Sequence, residues 1–438
     1  VRPRLAFDAA RLLALMALGL SCSARPLPFF GPDVGGRSPD AVDAPPDATT
    51  PTSDGASVAE ICAPACAPGI ACREGKCQQH RCTGALTFKA LPFASTAGRS
   101  YGPALGDFDA DGVLDLAGMP DADGTMSVLY GAGDGTFPAR QVIDASPVAW
   151  QALAGDVDGD GRLDLTSMTS TDAGLLGPSA FTLSVRRGSG DRQAPFGQPT
   201  IYSTGEGFSA VLLADFDADG RLDLMSAVRA GFEYRRGQAD GSFAPAATVA
   251  SKDQLSFSWV GLPLSTVLPA DWNGDHVIDL VYSAGTNLAG GSLHFRLGRG
   301  DGTFEDEVAC ALAMGVVGDV DGDGRPDLLS WANLLLGLDT CSPQRAVSLR
   351  DWPEEARAAF ADLDGDGNPD VVIDGNVTVR LGDGKGGFTK TLSLPGVGLG
   401  AGTVPSGAFL FGDLNRDAKL DVVYTRPDGW GVLLNTCP

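Results

Sequence analysis

An acidic pattern, Asp-x-Asp/Asn-x-Asp-x-x-x-Asp followed by Leu or Val, occurs seven times in this chain. It begins at Asp107, Asp156, Asp215, Asp271, Asp319, Asp362 and Asp413. Successive copies start 49, 59, 56, 48, 43 and 51 residues apart, about the length of one propeller blade. In the first copy, acids fall at positions 1, 3, 5 and 9 (Asp107, Asp109, Asp111, Asp115). A packed core cannot tolerate that density of like charge without a partner. Hard oxygen donors at alternating positions suit Ca²⁺, with the backbone carbonyl of position 7 as a further ligand. Gly112 at position 6 supplies the left-handed backbone that turns the loop around an ion.

The same alternation opens an EF-hand loop, which needs a bidentate Glu at position 12 between two helices. Position 12 is Gly118, Ser167, Ser226, Tyr282, Ser330, Ile373 and Tyr424, none of them acidic. The flanks, such as Ile278-Asp279-Leu280-Val281-Tyr282, are strand-like. The EF-hand is excluded. Each repeat instead reads as four strands. A small-residue strand enters the loop, a second leaves it, a third ends in a glycine turn such as Gly300-Asp301-Gly302, and a fourth leads onward. Asp374-Gly375-Asn376 marks a further hairpin in the sixth copy.

These residues resemble the FG-GAP and VCBS-like repeats, the family that includes the calcium-bearing blades of the integrin α-subunit propeller. The likeness spans residues 84–438. It implies that the acidic loop joins the first and second strands of each blade, on the face opposite the usual ligand face. It also implies a side-chain ligand set, carried over by position. In the first three copies this is Asp107, Asp109, Asp111 and Asp115, then Asp156, Asp158, Asp160 and Asp164, then Asp215, Asp217, Asp219 and Asp223. The fourth and fifth supply Asp271, Asn273, Asp275 and Asp279, then Asp319, Asp321, Asp323 and Asp327. The last two supply Asp362, Asp364, Asp366 and Asp370, then Asp413, Asn415, Asp417 and Asp421. The position 7 carbonyls belong to Val113, Arg162, Arg221, Val277, Arg325, Asn368 and Lys419. His276 and Ala418 replace Gly at position 6 in the fourth and seventh copies, where Asn also replaces one Asp. These two are expected to be the weakest of up to seven structural Ca²⁺ sites.

The fold expected is all-β: a seven-bladed propeller over residues 83–438. The last repeat stops after its third strand, and Ala85–Ala90 reads as a lone fourth strand before the first repeat. The N-terminal strand is therefore expected to complete the last blade, which removes a free edge. Cys82 and Cys437 flank the two partners, and a disulfide between them would clasp the ring. Cys310 and Cys341 bracket the fifth acidic loop and suit a second bridge.

Ahead of the propeller, residues 1–21 read as an export signal, with Arg2, Arg4 and Arg11 before the apolar run 12–20. Leu18-Gly19-Leu20-Ser21-Cys22 resembles a bacterial lipobox, which makes Cys22 the candidate lipidation site. A plain secretory signal is the alternative. Residues 22–60, rich in Pro, Asp, Ser, Thr and Ala, cannot bury a core and read as a disordered stalk. Residues 61–82 hold Cys62, Cys66, Cys72 and Cys77, a small two-disulfide module of open connectivity, with zinc as the rival. The chain carries 55 acids against 32 bases, a net charge of −23. The seven loops hold 26 of those acids, so the acidity reflects metal loops, and it argues against a nucleic-acid partner.

Of the three histidines, His80 lies in the cysteine module, His276 in an acidic loop and His294 in a strand; no spacing pairs a nucleophile with a base. Gly98-Arg99-Ser100-Tyr101-Gly102 precedes a strand rather than forming a nucleophile elbow. Trp150, Trp259, Trp331, Trp352 and Trp430 map to or near the connections opposite the acidic loops, as candidate ligand-face residues. The longest of those connections are 169–180, 250–264 and 283–291. The functional expectation is an extracellular recognition module for a protein or carbohydrate at the cell surface, touching the membrane only through its lipid. A propeller-based polysaccharide lyase or hydrolase, or a scaffold, is the alternative.

Overall fold

The computed structural model describes residue 70 and residues from 72 onward, apart from 74–75, 78, 96–101, 121–124, 145–147, 171–181, 205–209, 229, 252–266, 285–291, 314, 331–332, 339–340, 350–357, 374–377, 394–408 and 427–428. The described residues form seven antiparallel blades; six are meanders in chain order, and the seventh takes its outer strands from the N-terminal side of the chain. Blade 3 is representative: Ala210–Ala214, Asp223–Val228, Gly231–Arg235 and Ala247–Ala250. First strands of neighbouring blades meet one another, which places them at the centre of the ring. Second strands such as Asp223–Val228 and Asp279–Ala284 are buried along their whole length. A blade's middle is covered on both faces by its neighbours, so it reads as a continuous apolar run rather than an alternation. Fourth strands such as Ala247–Ala250 lie at the rim and are largely exposed.

Seven apolar clusters seal the seven blade interfaces. Position 2 of the acidic pattern contributes one buried side chain to each: Phe108, Val157, Phe216, Trp272, Val320, Leu363 and Leu414. In several interfaces the partner is the phenylalanine that closes the next blade's third-strand turn. Phe196 packs edge-on against Phe108 at 5.5 Å, and Phe304 against Phe216 at 5.9 Å. Acidic residues and apolar seal thus share one loop, its odd positions facing the candidate ion and position 2 facing the next blade.

The ring closes through blade 7, where Phe88–Ala90 pairs with Gly429–Asn435. That strand is shorter than the expected Ala85–Ala90, and a second short strand, Ala94–Ser95, also pairs with Gly429–Asn435. Cys82 and Cys437 are bonded across this seam, with Cα atoms 5.5 Å apart. Cys310, in the fourth strand of blade 4 (Val308–Ala313), is bonded to Cys341 in blade 5, so the second bridge joins adjacent blades. The segment just before Cys82 is also tied down. The amides of His80 and Cys82 donate to the carbonyls of Ala418 (2.7 Å) and Asp364 (2.8 Å), and Ile70 is buried in the cluster between blades 6 and 7. Within the cysteine module, Cys72–Arg73 and Lys76–Cys77 form a small hairpin that pairs Cys72 with Cys77. Cys22, Cys62 and Cys66 lie outside the described residues, as does the 374–376 turn.

Candidate metal centres

Each acidic loop is nailed to its blade by the carboxylate at position 9. One oxygen accepts the position 2 amide: Asp115 from Phe108 at 3.0 Å, Asp279 from Trp272 at 2.7 Å, Asp421 from Leu414 at 2.9 Å. The other accepts an amide at or just past the end of the third strand: Gly131, Gly188, Gly237, Gly298, Gly337, Gly382 or Asn435, at 2.6–2.9 Å. The glycine turn has its reason here. A Cβ on Gly298 would stand 2.3 Å from the carbonyl of Ile278, the residue before Asp279, so a side chain would push the amide off the carboxylate. Position 1 closes the loop on itself, as Asp107 accepts the amides of Asp111 (3.1 Å) and Gly112 (2.8 Å). Position 5 accepts the position 7 amide, as Asp160 does from Arg162 at 2.9 Å.

The left-handed residue expected at position 6 is present in every loop, including His276 (φ 68°) and Ala418 (φ 63°). A second occurs at position 4, where Ala110, Ala218 and Arg416 also take positive φ. Position 4 escaped the sequence reading because Gly holds it in only four copies. Non-glycine residues pay about 1 kcal/mol for this conformation. Ala418→Gly is therefore expected to raise stability by about 0.5–1 kcal/mol, read as a higher urea midpoint at unchanged slope.

Five loops bring the carboxylates of positions 1, 3 and 9 within 4.8 Å of one another, a group able to hold a metal ion: 107/109/115, 156/158/164, 215/217/223, 319/321/327 and 362/364/370. All-oxygen donors at that spacing fit Ca²⁺. In the fifth loop, Oδ1 of Asp321 is buried with no hydrogen-bond donor, as expected of an oxygen awaiting a cation. In the fourth and seventh, Asn273 and Asn415 bring no charge to position 3, and the Asn273 amide donates to Asp275 at 2.8 Å. Burial pushes the carboxyls of Asp115, Asp279, Asp327, Asp370 and Asp421 up to about 7, and raises Asp164 and Asp223 as well. Their own backbone donors only partly offset that cost, which leaves a need for positive charge.

In the first three loops an arginine stands beside the carboxylates. Arg192 lies 3.5 Å from Asp109 and over the Tyr130 ring, Arg187 is 3.2 Å from Asp164, and Arg236 pairs with Asp217 and, at 2.9 Å, Asp219. These cations oppose metal entry. Arg236→Gln is expected to tighten calcium binding at the third loop by on the order of threefold, the small effect of an exposed charge, measured by titration calorimetry against wild type.

The aromatic candidates separate. Trp150 lies in the first strand of blade 2 (Val148–Gly155), while Trp259, Trp331 and Trp352 lie outside the described residues, as do most of the three long connections. Trp430 is corrected: it is buried, edge-on to Phe137 at 5.4 Å, in the cluster between blades 7 and 1. The cause is the seam, because Trp430 pairs with Thr425 on one side and with Ala94 of the added short strand on the other. Sequence reasoning also missed the arginines that end third strands. Arg235 donates to the carbonyl of Ser203 (2.5 Å) and Arg296 to that of Ala250 (2.6 Å), each tying its blade to the one before. Their common place at the strand end was the available signal.

FG-GAP-like repeats match residues 107–167, 215–282 and 362–424. Among solved structures, one from a study of specific recognition of non-reducing terminal N-acetylglucosamine by an Agrocybe aegerita lectin is similar, with TM-score 0.51 and 19% identity over 79% of this chain and 88% of that one. BBS1N in complex with ARL6DN gives TM-score 0.48 and 11% identity over 81% and 97%. No curated protein matches the chain. Seven acidic loops in register, seven sealed blades and the repeat matches agree: the chain is an FG-GAP-like repeat β-propeller.

Proposed function

We propose that the chain is a calcium-stabilised recognition module, exported and held at the cell surface by a lipid on Cys22. It binds a protein or carbohydrate through the face opposite its acidic loops. One observation carries this reading. The connection between first and second strands is eight residues in every blade, as between Gly106 and Asp115 or Gly412 and Asp421. Connections at the other end run from two residues (Val228 to Gly231) to 16 (Ala250 to Val267). An end held constant by metal loops serves the scaffold, and an end free to vary is where a ligand site is built.

Calcium would be held by the side chains of positions 1, 3, 5 and 9 and the carbonyl of position 7, supplying charge that fixes each hairpin. By their place in the sequence, Trp150, Trp259, Trp331 and Trp352 belong to the variable end or its approach, and tryptophan is the residue type suited to stack on a sugar face or anchor a protein partner. The lectin of similar fold makes carbohydrate the first class to test.

The test is binding of the calcium-loaded full chain to a broad glycan array, repeated with chelator. Calcium-dependent binding to one sugar class, lost when the four tryptophans are replaced by Ala, is the expected result. A blank array from folded protein would remove carbohydrate and leave a protein ligand, to be sought by cross-linking at the cell surface.

A further inference from the structure

Blade 4 carries a buried polar chain that the acidic loops do not use. Ser292, His294 and Arg296 alternate along the third strand, Ser292–Arg296, and so face one side of the blade. Oγ of Ser292 lies 2.9 Å from Nε2 of His294, and Nδ1 of His294 lies 2.7 Å from Oε1 of Glu307. Glu307 precedes the fourth strand. Its second oxygen lies 3.4 Å from Arg296 and accepts the Ser251 hydroxyl of blade 3 at 3.1 Å. His294 and Glu307 are buried, whereas Ser292 is half-exposed. Ser292 pairs with Ala284, so it stands at the variable end of the blade, away from the acidic loop.

A structural tie does not require the histidine. Arg296 bonds blade 3 as Arg235 bonds blade 2, and in blade 3 the place of His294 is taken by Glu233. Glu307 is shared between Arg296, at 3.4 Å, and the imidazole, at 2.7 Å. With its Nδ1 proton donated to Glu307, a neutral His294 turns the Nε2 lone pair toward the Ser292 hydroxyl. The alternative acceptor for that hydroxyl, the Ala284 carbonyl, is farther away at 3.3 Å. Tyr282 stacks on the imidazole with centroids 5.6 Å apart and holds its plane.

We propose that Ser292, His294 and Glu307 form a nucleophilic relay that hydrolyses esters of short acyl groups. Ser292 Oγ bonds to the ester carbonyl carbon as the bond from that carbon to the alcohol oxygen breaks. The hydroxyl proton passes to Nε2 of His294 and from there to the departing alkoxide. Water then attacks the acyl-serine and gives a proton to Nε2; the serine regains it as the carboxylic acid leaves. Ser292 and His294 are the catalytic residues, and Glu307 positions the ring and stabilises the imidazolium. The half-buried serine restricts the acyl group to a short one.

The full chain is incubated with a fluorophosphonate probe and followed by intact mass and peptide mapping, with p-nitrophenyl acetate turnover in parallel. One adduct is expected, on Ser292. It is absent in Ser292→Ala and forms at least about tenfold more slowly in Glu307→Gln, with turnover in the same order. A folded wild-type chain without an adduct at Ser292 overturns the proposal, and so does an adduct that forms equally fast in Glu307→Gln. If Glu307→Gln does not fold, the wild-type and Ser292→Ala pair decides alone. The glycan array is independent of these outcomes, so binding and hydrolysis stand or fall separately.

Discussion

Chelation of calcium is expected to lower the melting temperature of this propeller by tens of degrees. At tenfold excess over its Kd, each ion adds about 1.4 kcal/mol, so seven supply about 10, comparable to the stability of a whole domain. On the proposed structural-calcium reading, the loops account for the size of the effect. Each position 9 carboxylate is buried at the root of a hairpin, and in five copies two more carboxylates crowd it within 4.8 Å. Removing the cation leaves that charge uncompensated between apolar seals.

The metal-free protein should also show an inverted pH dependence. Burial raises Asp115, Asp279, Asp327, Asp370 and Asp421 to about 7 from an ordinary 3.8. A carboxyl whose folded pKa is raised binds its proton more tightly in the folded state. Its contribution to stability is complete below about pH 4 and is lost as pH rises through 7. The chelated protein should therefore melt higher at pH 5 than at pH 8. The calcium-loaded protein should do the reverse, because protons compete with the ion for the same oxygens. Differential scanning calorimetry at both pH values, with and without chelator, reads both effects. An unchanged melt on chelation would sink the structural-calcium reading.

The second large effect belongs to the clasp. Replacing Cys82 and Cys437 together with Ala is expected to cost about 5 kcal/mol, because their bridge closes a loop of 355 residues. Opening the Cys310–Cys341 bridge, across 31 residues, should cost about 3–4 kcal/mol. More than entropy is lost at the clasp. It holds Phe88–Ala90 on the last blade and the 79–82 segment on the sixth and seventh acidic loops. Trypsin should then cut after the exposed Arg81 much faster than in wild type. Equal cleavage rates would mean that the seam holds without its disulfide.

The seven acidic loops were legible because their geometry is local. All their side-chain donors fall within nine residues, so spacing alone specifies which oxygens converge and where the backbone must turn left-handed. The four-stranded repeat followed from the same register, and the closing strand from a simple mismatch: one strand too many at the start and one too few at the end. Two cysteine pairs could be read because each flanked a position already placed. Position 2 of the pattern was equally local and apolar in every copy, yet its role as the seal to the next blade needs the neighbour in view.

What spacing along the chain could not encode is which groups meet from separate strands and turns, within a blade as well as between blades. The strand of Trp430 was expected to take one N-terminal partner, but a second, Ala94–Ser95, covers it at Trp430 from more than 300 residues away. Arg192, Arg187 and Arg236 reach the carboxylates of acidic loops only after the glycine turns fold back over them. Ser292 and His294 are two residues apart in a strand, and His294 was read there as a strand residue with no nucleophile paired to it. Glu307 makes them a relay, and it arrives from beyond a turn whose course is set by packing against blade 3. The sequence by itself determined the number of blades, the loop that roots each of them and the way the ring closes, since each depends on contacts within one repeat or on a count of strands. The tertiary structure alone decided what each blade presses against its neighbour, because burial and charge pairing between blades arise only when the ring is complete.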